Sequence, residues 1–232
     1  MDALRHGMLL AIDSATQIVS IALHDGDALV AECTLRAGRQ HSALLAPMIE
    51  ETMTRTGLGN EDLTALAVSV GPGSYTGVRI GVALAKGLAA PCNLPLVPVT
   101  TLETIVAAQA RHHDNLPLAA TVPAGRQRVI WAEYRFEGDA WVERRPPQIS
   151  DWQAILSHYE CPIRVSGEVS SAGLETIQLA RENGAAIELA PGSHRLRRAG
   201  FLAEIAWRRL RAGDRGSFPA GQVRPVYLRG PA

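Results

Sequence analysis

The chain has 232 residues, of which 47% are apolar and 20% charged, and its 23 Lys+Arg balance its 23 Asp+Glu. That composition supports a sizeable core and excludes a disordered chain, and the zero net charge excludes a protein that holds nucleic acid alone through its phosphates. Lys86 is the only lysine and is followed by Gly87 where a phosphate loop needs Ser or Thr, which excludes a P-loop NTPase.

Residues 1–7 are short and polar, read as an appendage rather than a signal peptide, with Met8 a possible start. Met8 to Asp13 has the length of a buried strand. Ile18 to His24 and Leu29 to Leu35 alternate, and the Asp25-Gly26-Asp27 between them predicts a hairpin. A helix follows, with Leu44, Leu45, Met48, Ile49, Thr52 and Met53 on one side and Pro47 marking a start or a kink. Ala65 to Val70 reads as a strand, Thr76 to Ala89 as a helix of small residues, and Leu94 to Val99 as a strand. Thr100 or Thr101 caps a helix to about Ala110.

After a polar break at 111–115 the pattern resembles itself. Leu116 to Val122, Val129 to Phe136 and Ala140 to Arg144 read as strands. Asp151 to Tyr159 is a helix, Ile163 to Ser166 a strand, Ser171 to Asn183 a helix, Ile187 to Leu189 a strand, and His194 to Leu210 the last helix. A duplicated βββαβα unit predicts an α/β protein of two ribonuclease-H-like lobes facing each other across a cleft, 1–110 and 111–232, each a mixed sheet with flanking helices. One open α/β sheet is the alternative.

Chemistry is sparse. Cys33, Cys92 and Cys161 are far apart and form no C-x-x-C, so neither a disulfide framework nor a structural zinc site is expected, which fits a reducing cytosol. His41 has leucines at the helical positions a second metal ligand would need, and His112-His113 has no helical partner, so no metal is expected. No apolar run reaches the roughly 20 residues of a membrane span.

Gly71-Pro72-Gly73-Ser74-Tyr75-Thr76-Gly77 joins a strand to a helix. It reads either as an anion site at a helix N-terminus or as a tight turn capped by Ser74 or Thr76. Asp13, Ser14 and Thr16 end the first strand, where actin-like ATPases place Asp-x-Gly-Thr. Ala15 stands where that glycine would meet phosphate, so Asp13, Ser14 and Thr16 read either as an Asx/Ser cluster that stabilises the turn or, with Gly71, Gly73 and Ser74, as a degenerate nucleotide cleft. Gly77, Gly81 and Ala85 form a smooth stripe, which suits packing within the chain or a subunit interface. Arg195, Arg197, Arg198, Arg208 and Arg209 read as a solvated face or as a patch close to RNA held by a partner.

AIDSAT (Ala11–Thr16), HSALLAPMI (His41–Ile49), GPGSYTGVRIG (Gly71–Gly81), WAEY (Trp131–Tyr134) and PVYLR (Pro225–Arg229) together resemble the TsaB (YeaZ) family, in order and over nearly the whole chain. The resemblance implies an actin-like (ASKHA) fold and a role in forming N6-threonylcarbamoyladenosine beside the anticodon of tRNAs reading codons that start with A. It implies no catalysis or cofactor of the chain's own. Docking would be onto a TsaD transferase that carries nucleotide and metal, with a TsaE ATPase joining, tRNA reached through the complex, and self-pairing when alone. Carried over, the partner surface is Leu45, Met48, Ile49, Thr52, Gly77, Val78, Gly81, Val82 and Ala85. Many relatives have Ile-Asp-Ala-Arg where this chain has Val122-Pro123-Ala124-Gly125, a loss of two polar groups from the expected cleft wall. The alternative function is a stand-alone actin-like ATPase or kinase, or a glycoprotease-like hydrolase, supported by the glycine loop and Asp13.

Overall fold

The computed structural model describes residues 7–38, 41–110, 116–213 and 215–228. Residues 1–6 of the expected appendage and the polar break at 111–115 lie outside the described residues. Two compact units divide the chain: the first takes residues up to Thr104 and again Arg197–Val226, the second Ile105–Leu196 and the residues after Val226.

In the first unit, β1 (Met8–Asp13), β2 (Ile18–His24), β3 (Leu29–Arg36), β4 (Leu63–Ser69) and β5 (Leu96–Val99) form a sheet in the order β3-β2-β1-β4-β5. β1 pairs antiparallel with β2 and parallel with β4. The β2–β3 turn forms because Gly26 adopts a positive φ of 101° and Asp25 Oδ1 accepts from the amides of Asp27 and Ala28. Those two amides hold the Asp25 carboxyl below the ordinary carboxylate range. α1 (His41–Thr56) and α2 (Tyr75–Ala89) cover one face of the sheet, burying Leu10, Ile12, Val19, Ile21 and Leu23. Pro47 lies exposed inside α1.

The second unit repeats the order. β6 (Leu118–Gly125), β7 (Arg128–Glu137), β8 (Ala140–Ser150), β9 (Ile163–Gly167) and β10 (Ile187–Leu189) run β10-β9-β6-β7-β8. α4 (Trp152–Ser157) and α5 (Ser171–Glu182) pack on it around Trp131, Trp152, Ile155, Val165 and Ile177. β8 runs past the expected Arg144 through Pro146 and Pro147. It is an edge strand, and its pairing with β7 shifts register between Trp131 and Glu133, so Pro146 and Pro147 sit in a bulge where no regular ladder bond is required of them. Two ribonuclease-H-like sheets in one chain make the actin-like ASKHA fold, as the sequence predicts.

The end of the fold departs from expectation. α3 (Thr101–Ala107), opened by a capping box between Thr100 and Glu103, stops short of Ala110 and spans the boundary at Thr104. The last helix, α6 (Ala199–Ala212), belongs to the first unit and not to the second lobe. It packs on the second face of the first sheet, which the period of two along β2 provides: Ser20 and His24 point to α6, while Val19, Ile21 and Leu23 point to α1 and α2. α6 begins at Ala199 instead of His194 because strand side chains supply its N-terminus. Ser20 Oγ accepts from Ala199 N at 2.8 Å, and Glu32 accepts from Gly200 N at 2.8 Å and from Arg198 Nε at 2.7 Å. Glu32 places a carboxylate on the positive end of the helix dipole. Replacing Glu32 with alanine is expected to cost about 1–2 kcal/mol, the range for a lost N-terminal cap, and urea unfolding checks it.

Candidate functional site

β1 delivers Asp13 to the carboxyl end of the first sheet, and the backbone there turns on its own side chains. Asp13 Oδ1 accepts from Ala15 N at 2.9 Å, and Thr16 Oγ1 accepts from Ile18 N at 3.3 Å. Asp13 is 1% exposed and Arg197 0%. Arg197 Nε donates to Asp13 Oδ2 at 3.0 Å, and its Nη2 donates to Ile18 O at 3.3 Å. The Asp13 carboxylate is thus closed off by a guanidinium from 184 residues along the chain. The arginine supplies the counter-charge and hydrogen bonds that a carboxylate so deeply buried requires.

The glycine loop packs against the same segment. Ser74 N donates to Ala15 O at 2.6 Å, and Ser14 Oγ donates to Gly77 O at 2.8 Å. A Cβ at Gly73 would lie 2.1 Å from Ala15 O, one at Gly77 2.2 Å from Ser14 O, and one at Gly81 2.3 Å from Ser14 Oγ. The spacing of those glycines thus lets α2 lie on the Ser14–Ala15 turn. Ser74 Oγ caps the helix by accepting from Gly77 N at 3.2 Å. Gly71 has φ +98°, and a Cβ there would meet Val226 O at 2.8 Å, so it admits the C-terminal segment, whose Val226 N donates to Val70 O at 2.7 Å.

Several residues expected at a partner surface face the other way. Leu45, Met48, Ile49, Val78, Val82 and Ala85 are buried in the first unit's own core, Gly77 and Gly81 are buried against Ser14, and Thr52 is half-buried. An apolar stripe reports burial and not which chain covers it. What α1 and α2 leave outside is a second stripe, two positions off the first. Ala43, Ala46 and Pro47 are exposed on α1. Ala83 and Gly87 are exposed on α2, with Ile80, Leu84 and Leu88 half-buried beside them. A groove of roughly 380 Å³ between the helices is lined by Ala46, Ile49, Glu50, Met53, Leu84 and Leu88, among others. Sequence reading missed this stripe because the inner one has the same period, and small residues recur on both sides of α2.

The arginine patch is also redistributed. Arg197 is removed from the surface by Asp13. Arg198 pairs with Glu32, and Arg209 with Glu103 and the Pro98 carbonyl. Arg208 stays exposed and Arg195 half-buried. In the second unit, Glu133 of the WAEY segment is the other carboxylate buried among the described residues. It accepts from Tyr159 Oη at 3.1 Å and Arg135 Nε at 3.4 Å, and burial together with Glu133 pushes the Tyr159 phenol up. Among the described residues no group of three or more His, Cys, Asp and Glu is placed to hold a metal, and no helix is long and apolar enough to cross a membrane.

A family model described as TsaD, tRNA N6-adenosine threonylcarbamoyltransferase, matches residues 35–191. The tRNA threonylcarbamoyladenosine biosynthesis protein TsaB of Escherichia coli (strain K12) is 32% identical over 225 residues, covering 95% of this chain and 94% of that protein. TsaB of Bacillus subtilis (strain 168) is 33% identical over 173 residues, covering 73% of this chain and 75% of that protein. Among solved structures, YeaZ from Pseudomonas aeruginosa shares the fold with a TM-score of 0.75 at 24% identity, covering 96% of this chain and 100% of that one.

Proposed function

The chain belongs to the TsaB family, and on that premise we propose that it serves N6-threonylcarbamoyladenosine formation in tRNA as a non-catalytic partner of a TsaD transferase. The observation that carries this reading is the buried Asp13–Arg197 pair. An aspartate committed to an arginine is withdrawn from holding a metal ion, and the glycine loop beside it is occupied by packing against Ser14 and Ala15. The same two facts weigh against a stand-alone ATPase or hydrolase, whose support was that loop and that aspartate. Nucleotide and metal then belong to the transferase, an ATPase of the TsaE kind joins the pair, and tRNA is reached through the assembly, with Arg208 the exposed member of the arginine patch.

Docking takes place through the outer stripe of α1 and α2, and a second copy of the chain competes for it. Small residues there let a partner helix approach closely, and the half-buried leucines beside them add apolar area. The test is Ala83→Glu with Gly87→Arg. A Cβ at Gly87 meets nothing within 4 Å, and Glu and Arg four residues apart support a helix, so the variant is expected to fold with stability within about 0.5 kcal/mol of the parent or above it. On a sizing column with the TsaD transferase of the same organism, the parent should co-elute and the variant should not. Undiminished co-elution of the folded variant refutes this surface.

A further inference from the structure

Lys86 lies half-buried near the C-terminal end of α2, and its Nζ donates to the carbonyl oxygen of Gly221 at 3.3 Å. The same oxygen accepts from Nη1 of Arg224, which also donates to Val223 O at 3.0 Å. Two cations converge on one neutral acceptor, and among the described residues no carboxylate pairs with either. Burial of the amine, and then the charge of Arg224, lower the Lys86 pKa, which enlarges its neutral, nucleophilic fraction. Every other basic residue counted with it is an arginine, so the chain offers one side-chain amine.

We propose that Lys86 is an acylation site whose donor is a mixed anhydride of a carboxylic acid and phosphate. The choice of donor rests on Arg224. A guanidinium beside the amine matches the oxygens of a phosphate group and holds it as the leaving group. The ammonium first gives a proton to water. The neutral Nζ attacks the acyl carbon, the C–N bond forms, the C–O bond to the phosphate breaks with its electron pair left on the phosphate oxygen, and the second amine proton passes to solvent. The amide product keeps one N–H for Gly221 O and removes the charge that opposed Arg224.

The test incubates the full-length chain with acetyl phosphate at neutral pH and locates acetyl groups by peptide mass mapping, with the chain's α-amine as the internal reference. Lys86 is expected to be acetylated, and in Arg224→Gln its labelling relative to the α-amine should fall at least about threefold. N-hydroxysuccinimide acetate, which carries no phosphate, should show a smaller fall. Labelling of the parent chain in concentrated urea gives a second comparison, in which the labelling of Lys86 relative to the α-amine must fall below its value in the folded chain; an undiminished ratio overturns the site. Lys86 unlabelled while the α-amine is labelled, or labelled equally in Arg224→Gln, overturns the site. An equal deficit with both reagents overturns the phosphate-anhydride donor.

Discussion

Arg197→Met is expected to destabilise the chain by about 3–5 kcal/mol, because it leaves Asp13 charged and without its partner in a buried site. The loss has two parts. Arg197 gives up its bonds to Asp13 and to Ile18 O, and among the described residues Asp13 keeps the Ala15 amide as its donor. Asp13→Asn in the same chain removes the stranded charge while its Oδ1 still accepts from Ala15 N. The double variant Asp13→Asn/Arg197→Met should therefore recover most of the loss, since a buried ion pair replaced on both sides by neutral groups is often close to neutral in stability. Urea unfolding of the four chains in the cycle measures the coupling directly. A loss below about 1 kcal/mol for Arg197→Met would mean that the aspartate reaches water once the arginine is gone.

The second large effect lies on the inner face of α2. Gly81→Leu is expected to leave no folded protein, because even a Cβ there would lie 2.3 Å from Ser14 Oγ. Gly81→Ala should cost about 1–3 kcal/mol, and Ser14→Ala should relieve it, since the obstructing atom is that hydroxyl and the Ser14 Cβ stands at 3.5 Å. Gly77→Ala meets the backbone carbonyl of Ser14 at 2.2 Å, so Ser14→Ala should not rescue it. Thermal melts of the single and double variants read the contrast. Equal rescue at both positions would contradict the packing of α2 on the Ser14–Ala15 turn.

The strands and helices were largely legible because their signals are local. The Asp25-Gly26 hairpin, the capping box at Thr100 and the periods of β2 and α2 each lie within a few residues, and the duplicated order follows from them. What escaped reading depends on distant residues. Nothing near Arg197 in the chain announces Asp13, and its neighbours Arg195 and Arg198 make it look like one charge of a surface cluster. The start of α6 was misplaced for the same reason, since its N-terminal donors are met by Ser20 and Glu32 rather than by a residue at 194–198. The glycines of α2 were found, but their side of the helix was not. Gly77 and Gly81 serve the turn after β1, and the stripe left exposed is the one through Ala83 and Gly87. Sequence periodicity marks a face, and only the packing says what lies on it.

The account is tested most directly by the N6-threonylcarbamoyladenosine content of tRNA in cells whose own copy of this gene is replaced by each of two folded variants. With Asp13→Asn/Arg197→Met the modification should stay at the parental level if, as proposed, the buried pair serves the fold alone. With Ala83→Glu/Gly87→Arg it should be lost, since the proposed docking surface on α1 and α2 is then blocked. The reverse pattern, modification lost with the first variant and kept with the second, would contradict the account.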